Sequence, residues 1–167
     1  METQRLIIRL ADSSYAEDLI DYYNSDFVQE YNVMPIMTLE EYKESLNVED
    51  PNHIQYHIIE KESGRAIGNI SLSKDSMRRL AHSITLSYWL GKDYTGKGYM
   101  QEALSELIDF LFTNTDYTCI SARVFAYNLN SSKLIRKLGF EQEGYLKHAV
   151  RDLKGIVHDD ILFALFK

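Results

Sequence analysis

Residues 86–112 read LSYWLGKDYTGKGYMQEALSELIDFLF, and the order of patterns within them decides the kind of fold the chain adopts. The opening residues are apolar and aromatic, as in a strand, and the next stretch, GKDYTGKGYM (91–100), is broken by glycines at 91, 96 and 98. From there the apolar positions Met100, Ala103, Leu104, Leu107, Ile108 and Leu111 fall on one helical face, with Glu102, Glu106 and Asp109 on the other. A strand that turns through glycines into a helix leaves the first helical N–H groups without internal partners. Together with the helix dipole these form an anion site. Glycines at 96 and 98 let the backbone approach a phosphate where a Cβ would obstruct it. The turn therefore suits a diphosphate. It is not the Walker pattern, because GKGYM stands where Gly-Lys-Ser/Thr is needed, and it lacks the third glycine of the dinucleotide fingerprint. Taken alone, a Gly-x-Gly turn reads equally well as a tight turn before a helix.

Outward from this segment the chain alternates helix and strand signals. RLIIRL (5–10) reads as a first strand, and Asp12 to Ser14 offer caps for a helix over YAEDLIDYYN. Thr38 followed by Glu41 forms a capping box that opens LEEYKESL. IQYHIIEK (54–61), AIGNISLSK (66–74) and AHSITLSYWL (81–90) are rich in β-branched and aromatic residues, which predicts a strand meander with turns at Ser63-Gly64 and around DSMRR. YTCISARVFA (117–126) reads as a strand. SSKLIRKLGF reads as a short helix whose Gly139 suits the left-handed position after the last turn, with Phe140 folding back. The terminal EQEGYLKHAVRDLKGIVHDDILFALF reads as two strands joined near Lys154-Gly155. The order β-α-α-β-β-β-α-β-α-β-β predicts one α/β domain over residues 1–167, a mixed sheet flanked by helices.

Composition narrows the partners. A chain of 167 residues with 45% hydrophobic and 26% charged residues can bury a core without disulfides or metals. The net charge is −7 and the densest cationic spot is Arg78-Arg79, which argues against direct nucleic-acid binding and favours cationic partners such as amines or basic peptides. Cys119 is alone, so no internal disulfide forms and a reducing compartment is expected. The N-terminal METQRLIIRLADSS lacks the pattern of a signal peptide, and ILFALF (161–166) is too short to cross a bilayer. The expected location is cytoplasmic, without membrane attachment. His53 and His57 have no cysteine or second histidine pair beside them, so no metal is expected.

The 86–112 segment, followed after one strand by NLNSSKLIRKLGF (128–140), resembles the GNAT superfamily of N-acetyltransferases, in particular its ribosomal-protein alanine and serine branch. The family's Gln/Arg-x-x-Gly-x-Gly/Ala loop matches at Asp93 to Gly98, with Asp93 in place of the usual Gln or Arg. Its Asn-x-x-Ser and Lys-x-Gly-Phe match at Asn128, Ser131, Lys137, Gly139 and Phe140, and Gly155 and Asp159 stand at familiar positions. The resemblance implies a mostly antiparallel sheet of about six to seven strands with a V-shaped split between two central strands, and about four helices. It also implies acetyl-CoA as co-substrate and a primary amine as acceptor, either a peptide N-terminus or a small molecule; homodimers are common in the family. By the same resemblance the strand before the loop is bulged, and the pantetheine arm lies between Tyr88-Trp89-Leu90 and Ala122 to Phe125. The diphosphate rests on the N–H groups of Gly96, Lys97, Gly98, Tyr99 and Met100, with Lys97 adding charge, and Asn128 bonds the pantetheine amide. Asp93 is expected to point outward, because a carboxylate beside phosphates is unfavourable.

Acetyl transfer to an amine requires a deprotonated nucleophile, stabilisation of the oxyanion and a proton for the departing thiolate. The resemblance implies direct attack in a ternary complex, with an oxyanion donor on the backbone near Trp89 or Leu90. Many relatives use a tyrosine seven residues after the motif asparagine; here that position is Ile135, which makes the Ser131 hydroxyl the candidate acid. The alternative for Ser131 is a first-turn serine bonding the helix backbone, and Asn128 likewise can simply cap. Relatives often carry their base two residues before the position of Ser87, where this chain has Thr85. His82, Asp159, Glu30 or a water chain are the remaining candidates, and Tyr22, Tyr23 and Tyr31 line either an acceptor pocket or the core. A non-catalytic CoA-binding module of the same fold stays open as the alternative function.

Overall fold

The computed structural model describes residues 1–79 and 81–167. Among them run the strands β1 (Leu6–Leu10), β2 (His53–Glu60), β3 (Ala66–Lys74), β4 (Ser83–Leu90), β5 (Cys119–Phe125), β6 (Glu141–Arg151) and β7 (Val157–Phe166). The helices are α1 (Ala16–Tyr23), α2 (Asp26–Gln29), α3 (Leu39–Leu46), α4 (Tyr99–Asn114) and α5 (Leu129–Lys137). The strands form one seven-stranded sheet in the order β1-β2-β3-β4-β5-β7-β6. Every pairing is antiparallel except β4–β5, which the α4 crossover makes parallel.

Local chemistry accounts for most element ends. Thr38 Oγ1 accepts from the Glu41 amide at 3.3 Å while the Thr38 amide donates to Glu41 Oε2 at 2.8 Å, the reciprocal box its sequence predicts. At the end of α5, Gly139 has φ +91° and donates to the Arg136 carbonyl at 3.0 Å, and Phe140 donates to the Ile135 carbonyl at 3.2 Å. These are the two bonds of a Schellman turn, and the buried Phe140 and Ile135 side chains share one core. α2 has no counterpart in the predicted order, which held about four helices. Its four residues are too few to show a period, and it is held by the Ser25 cap and the burial of Val28.

The sheet separates two cores. On one face α4 and α5 bury Leu104, Leu107 and Ile135 against Leu86, Ile120 and Phe163. On the other, α1 and α3 bury Leu19, Tyr23 and Tyr42 against Ile59, Ala66 and Trp89. Strand alternation divides β4 between them: Leu86 and Leu90 belong to the first core and Trp89 to the second.

Pairing between β4 and β5 covers only Ser83–Leu86 with Cys119–Ala122. Beyond it β4 stays paired with β3 as far as Leu90, and β5 with β7 as far as Phe125. Each strand is held by its outer neighbour while the two diverge, which opens the V-shaped split. The expected bulge is absent from the β3–β4 register, which is unbroken from Ile84 to Leu90. Divergence alone makes the gap. It begins one residue later on β5 than expected, because Ala122 is still paired with Leu86.

Candidate active site

The split leads into a cleft of about 950 Å³ that runs from Ser87–Leu90 and Arg123–Phe125 to the glycine turn and the first turn of α5. Backbone direction shows which polar groups face it. The His82 carbonyl accepts from Thr118 at 2.8 Å on the β5 side, and the Gly91 amide donates to the Ile67 carbonyl at 2.8 Å on the β3 side. Strand alternation between these points turns the amides of Tyr88 and Leu90 toward β5, where no strand pairs with them, and turns Trp89 toward Asn69 of β3. Of the two residues expected to carry the oxyanion donor, Leu90 has its amide in the gap and Trp89 does not.

At the end of β4 the chain passes through Gly96 (φ +73°) and Gly98 (φ +82°) into α4. Among the described residues, none of the amides of Gly96, Lys97, Gly98, Tyr99, Met100 and Gln101 donates to a protein acceptor; the first bond of the helix is Glu102 N to Gly98 O at 3.0 Å. Arg5 pins the turn from beneath. Its Nη1 donates to the Lys97 carbonyl at 2.9 Å, its guanidinium lies 4.4 Å from the Tyr99 ring centroid, and its Nη2 and Nε reach Glu102 Oε2 at 2.6 and 2.7 Å. Glu102 would oppose an anion at this helix end, but it is already engaged by Arg5 and by Thr3 at 2.5 Å. Burial pushes its pKa up, and the hydrogen bonds from Thr3 and Arg5 outweigh that and hold it below the usual 4.5. Asp93 is exposed and accepts from the Tyr22 hydroxyl at 3.1 Å, so it faces away from the cleft as expected. Of the residues expected to hold the donor, all but Lys97 line the cleft; the Lys97 ammonium lies 5.5 Å from the Tyr94 ring centroid instead.

Across the gap, Asn128 caps α5, its Oδ1 accepting from the Ser131 amide at 3.1 Å. The Ser131 hydroxyl does not serve the helix backbone. It lies 2.7 Å from the Tyr88 hydroxyl, which reaches it from β4. Burial pushes the Tyr88 pKa up to about 12. Ile135 is fully buried, a packing group.

The opposite face of the split presents different groups. Thr85 and Ser121 join hydroxyls at 2.9 Å across the paired part of the strands. His82 lies at the closed end of β4, paired with Asp116 at 2.5 Å, and Glu30 is exposed, offering its carbonyl to Tyr127 at 2.6 Å. Asp159 accepts from the Tyr145 hydroxyl at 2.8 Å and the His148 amide at 2.7 Å. None of these three proposed bases lines the cleft; its one carboxylate among the described residues is Asp160. Asp160 is 2% exposed and takes Arg123 Nε (2.9 Å) and Nη2 (2.6 Å) on Oδ2, leaving Oδ1 without a partner. The sequence carried a signal for it: Ile161, Phe163 and Leu165 pack on the α4–α5 face, so alternation turns Asp160 to the other one. Tyr23 is core, tilted against Tyr42 and edge-on to Trp89, while Tyr31 lines the cleft. Among the described residues no group of three or more His, Cys, Asp or Glu side chains gathers as a metal site, and no helix is long and apolar enough to cross a membrane.

A strand pair splayed over an amide-rich helix start defines the class, and comparison with known proteins agrees. The acetyltransferase (GNAT) domain family matches residues 5–141, and the chain belongs to that family of N-acetyltransferases. The uncharacterized N-acetyltransferase p20 of Bacillus licheniformis is 29% identical over 171 residues, covering 99% of this chain and 94% of the relative. The ribosomal protein uS5 alanine N-acetyltransferase of Escherichia coli (strain K12) is 28% identical, covering 99% of this chain and 89% of its own. Among solved structures, the ribosomal-protein-S5-alanine acetyltransferase from Vibrio fischeri has a TM-score of 0.86 at 26% identity, covering 99% of this chain and 95% of that one. A ribosomal L7/L12 alpha-N-protein acetyltransferase in complex with coenzyme A shares the fold, with a TM-score of 0.84 at 21% identity over 98% of this chain and 95% of its own.

Proposed function

We propose that the protein uses acetyl-CoA to acetylate a primary amine, on a protein N-terminus or a small molecule, by direct attack within a ternary complex. The observation that carries this reading is the continuity of one cleft from the unpaired edge of β4 to the unpartnered amides at 96–101. An extended thioester arm can pair with that edge while its diphosphate rests on the helix start. The co-substrate supplies the acetyl thioester; the chain supplies the surroundings. The amides of Gly96, Gly98, Tyr99 and Met100 hold the anion, with the Lys97 amide completing the cradle. The Leu90 amide stabilises charge developing on the thioester carbonyl, and the amide group of Asn128 bonds the arm. Ser131 gives a proton to the departing thiolate. Asp160 takes the proton of the incoming amine on Oδ1, while Arg123 keeps Oδ2. The names of the relatives that act on ribosomal proteins support a peptide N-terminus as the acceptor.

The test is release of CoA thiol with peptides beginning in Ala or Ser and with small diamines. Amine-dependent release is expected. Binding of acetyl-CoA without release across the panel would leave a CoA-binding module, and no binding at all would remove both readings.

A further inference from the structure

We infer that Tyr88 acts through Ser131, setting the direction of its proton and replenishing it during the reaction. This rests on the reading of the cleft as an acyl-CoA site. The two hydroxyls lie 2.7 Å apart, one on β4 and one on the first turn of α5, and both residues line the cleft. Among the described residues neither hydroxyl has another partner. One bond must therefore serve both, and its direction matters. A phenol conjugates its lone pairs into the ring, so it donates better than it accepts; a serine hydroxyl accepts well. Tyr88 also packs against the apolar α4–α5 core, which offers its proton no other acceptor. Tyr88 Oη–H therefore donates to Ser131 Oγ, and the Ser131 proton is left free to point into the cleft. The Asn128 cap on the Ser131 amide fixes the same residue from the backbone side at 3.1 Å.

The chemistry balances without a further reagent. As the carbon–sulfur bond breaks, the Ser131 Oγ–H bond breaks and an S–H bond forms on the departing thiolate. The Tyr88 proton passes to Oγ, and the resulting phenolate recovers a proton from water when products leave. A phenol is a stronger acid than an aliphatic alcohol, so the pair is a better proton source than an isolated serine. Tyr88 is a positioning residue, because it reaches the reacting atoms only through Ser131.

The experiment is a double-mutant cycle in the full chain with Tyr88→Phe, Ser131→Ala and the pair, measuring kcat, the KM for the amine, direct acetyl-CoA binding and the unfolding midpoint. Tyr88→Phe is expected to lower kcat about tenfold and Ser131→Ala about a hundredfold, with acetyl-CoA affinity unchanged. The double variant should fall no further than Ser131→Ala, because Tyr88 has nothing left to act through. Losses that multiply in the double variant, an unchanged kcat in Tyr88→Phe, or an affinity loss as large as the kcat loss would each overturn the proposal. So would a Tyr88→Phe protein that no longer folds, which would make the hydroxyl structural. If the wild-type chain neither binds nor consumes acetyl-CoA, the acyltransferase reading itself fails, a different outcome from a wild type that turns over and a Tyr88→Phe that matches it.

Discussion

Asp159 and Asp160 are neighbours in β7 with opposite surroundings. Asp159 faces the Tyr145 hydroxyl and the irregular stretch of β6 at His148, while Asp160 is buried on the cleft side with Oδ1 unpartnered. Asp160→Asn is therefore expected to keep acetyl-CoA binding and lower kcat about a hundredfold. Asp159→Asn should stay within about threefold; equal losses in the two variants would remove Asp160 as the base. A second residue sets a pH limit on the fold. His57 is fully buried, with Nε2 3.0 Å from the Asp12 carbonyl, and burial pushes its pKa below the ordinary 6.5 despite that bond. The unfolded chain binds this proton near pH 6.5 and the folded one only at lower pH. The stability tied to neutral His57 is thus complete above about pH 6.5 and is lost as pH falls from there toward the folded value. Urea midpoints should drop between pH 7.5 and 5.5, and the drop should shrink in His57→Gln; an equal drop in both proteins would exclude His57 as its source.

Among the elements, the seven strands and every helix but α2 were legible from local pattern, while the details of strand pairing were not. The α3 capping box, the buried face of α4 and the Gly139 turn of α5 each depend on residues within a few positions of one another, and the structure keeps all three. α2 escaped because four residues held by a cap and one buried valine carry no period. The expected bulge in β4 came from resemblance, and the register with β3 shows none. Gly98 is where element and function meet. Its φ of +82° at the start of α4 is a left-handed conformation that costs an L-residue about 1–2 kcal/mol, while a Cβ there would meet Arg5 Nη2 at an ordinary contact distance of 3.5 Å, so the strain falls on the backbone that aims the amides of the turn. Gly98→Ala should lower stability by about that amount in urea titrations and weaken acetyl-CoA binding roughly tenfold. Unchanged affinity beside a normal loss of stability would place the diphosphate elsewhere.

For the molecule as a whole, the cleft is a gap in the one sheet that joins both cores, so a ligand filling it should stabilise the entire domain. At acetyl-CoA concentrations a hundredfold above Kd the gain is about 2.7 kcal/mol, a rise in Tm of roughly 5–10 °C for a domain of this size. A calorimetric scan with and without acetyl-CoA checks this, and a flat response at saturating acetyl-CoA would contradict it. By itself the sequence determined the order of the strands and of every helix but α2, the glycine turn and the anion-ready start of α4, because each is written in short-range spacing, and the resemblance added the Asn128–Ser131 pair. Only the tertiary structure decided which hydroxyl meets Ser131, which of two adjacent aspartates lines the cleft and which β4 amide faces the gap. Those depend on strand register and on where β4 leaves β5, and register is settled by contacts between residues far apart in the chain.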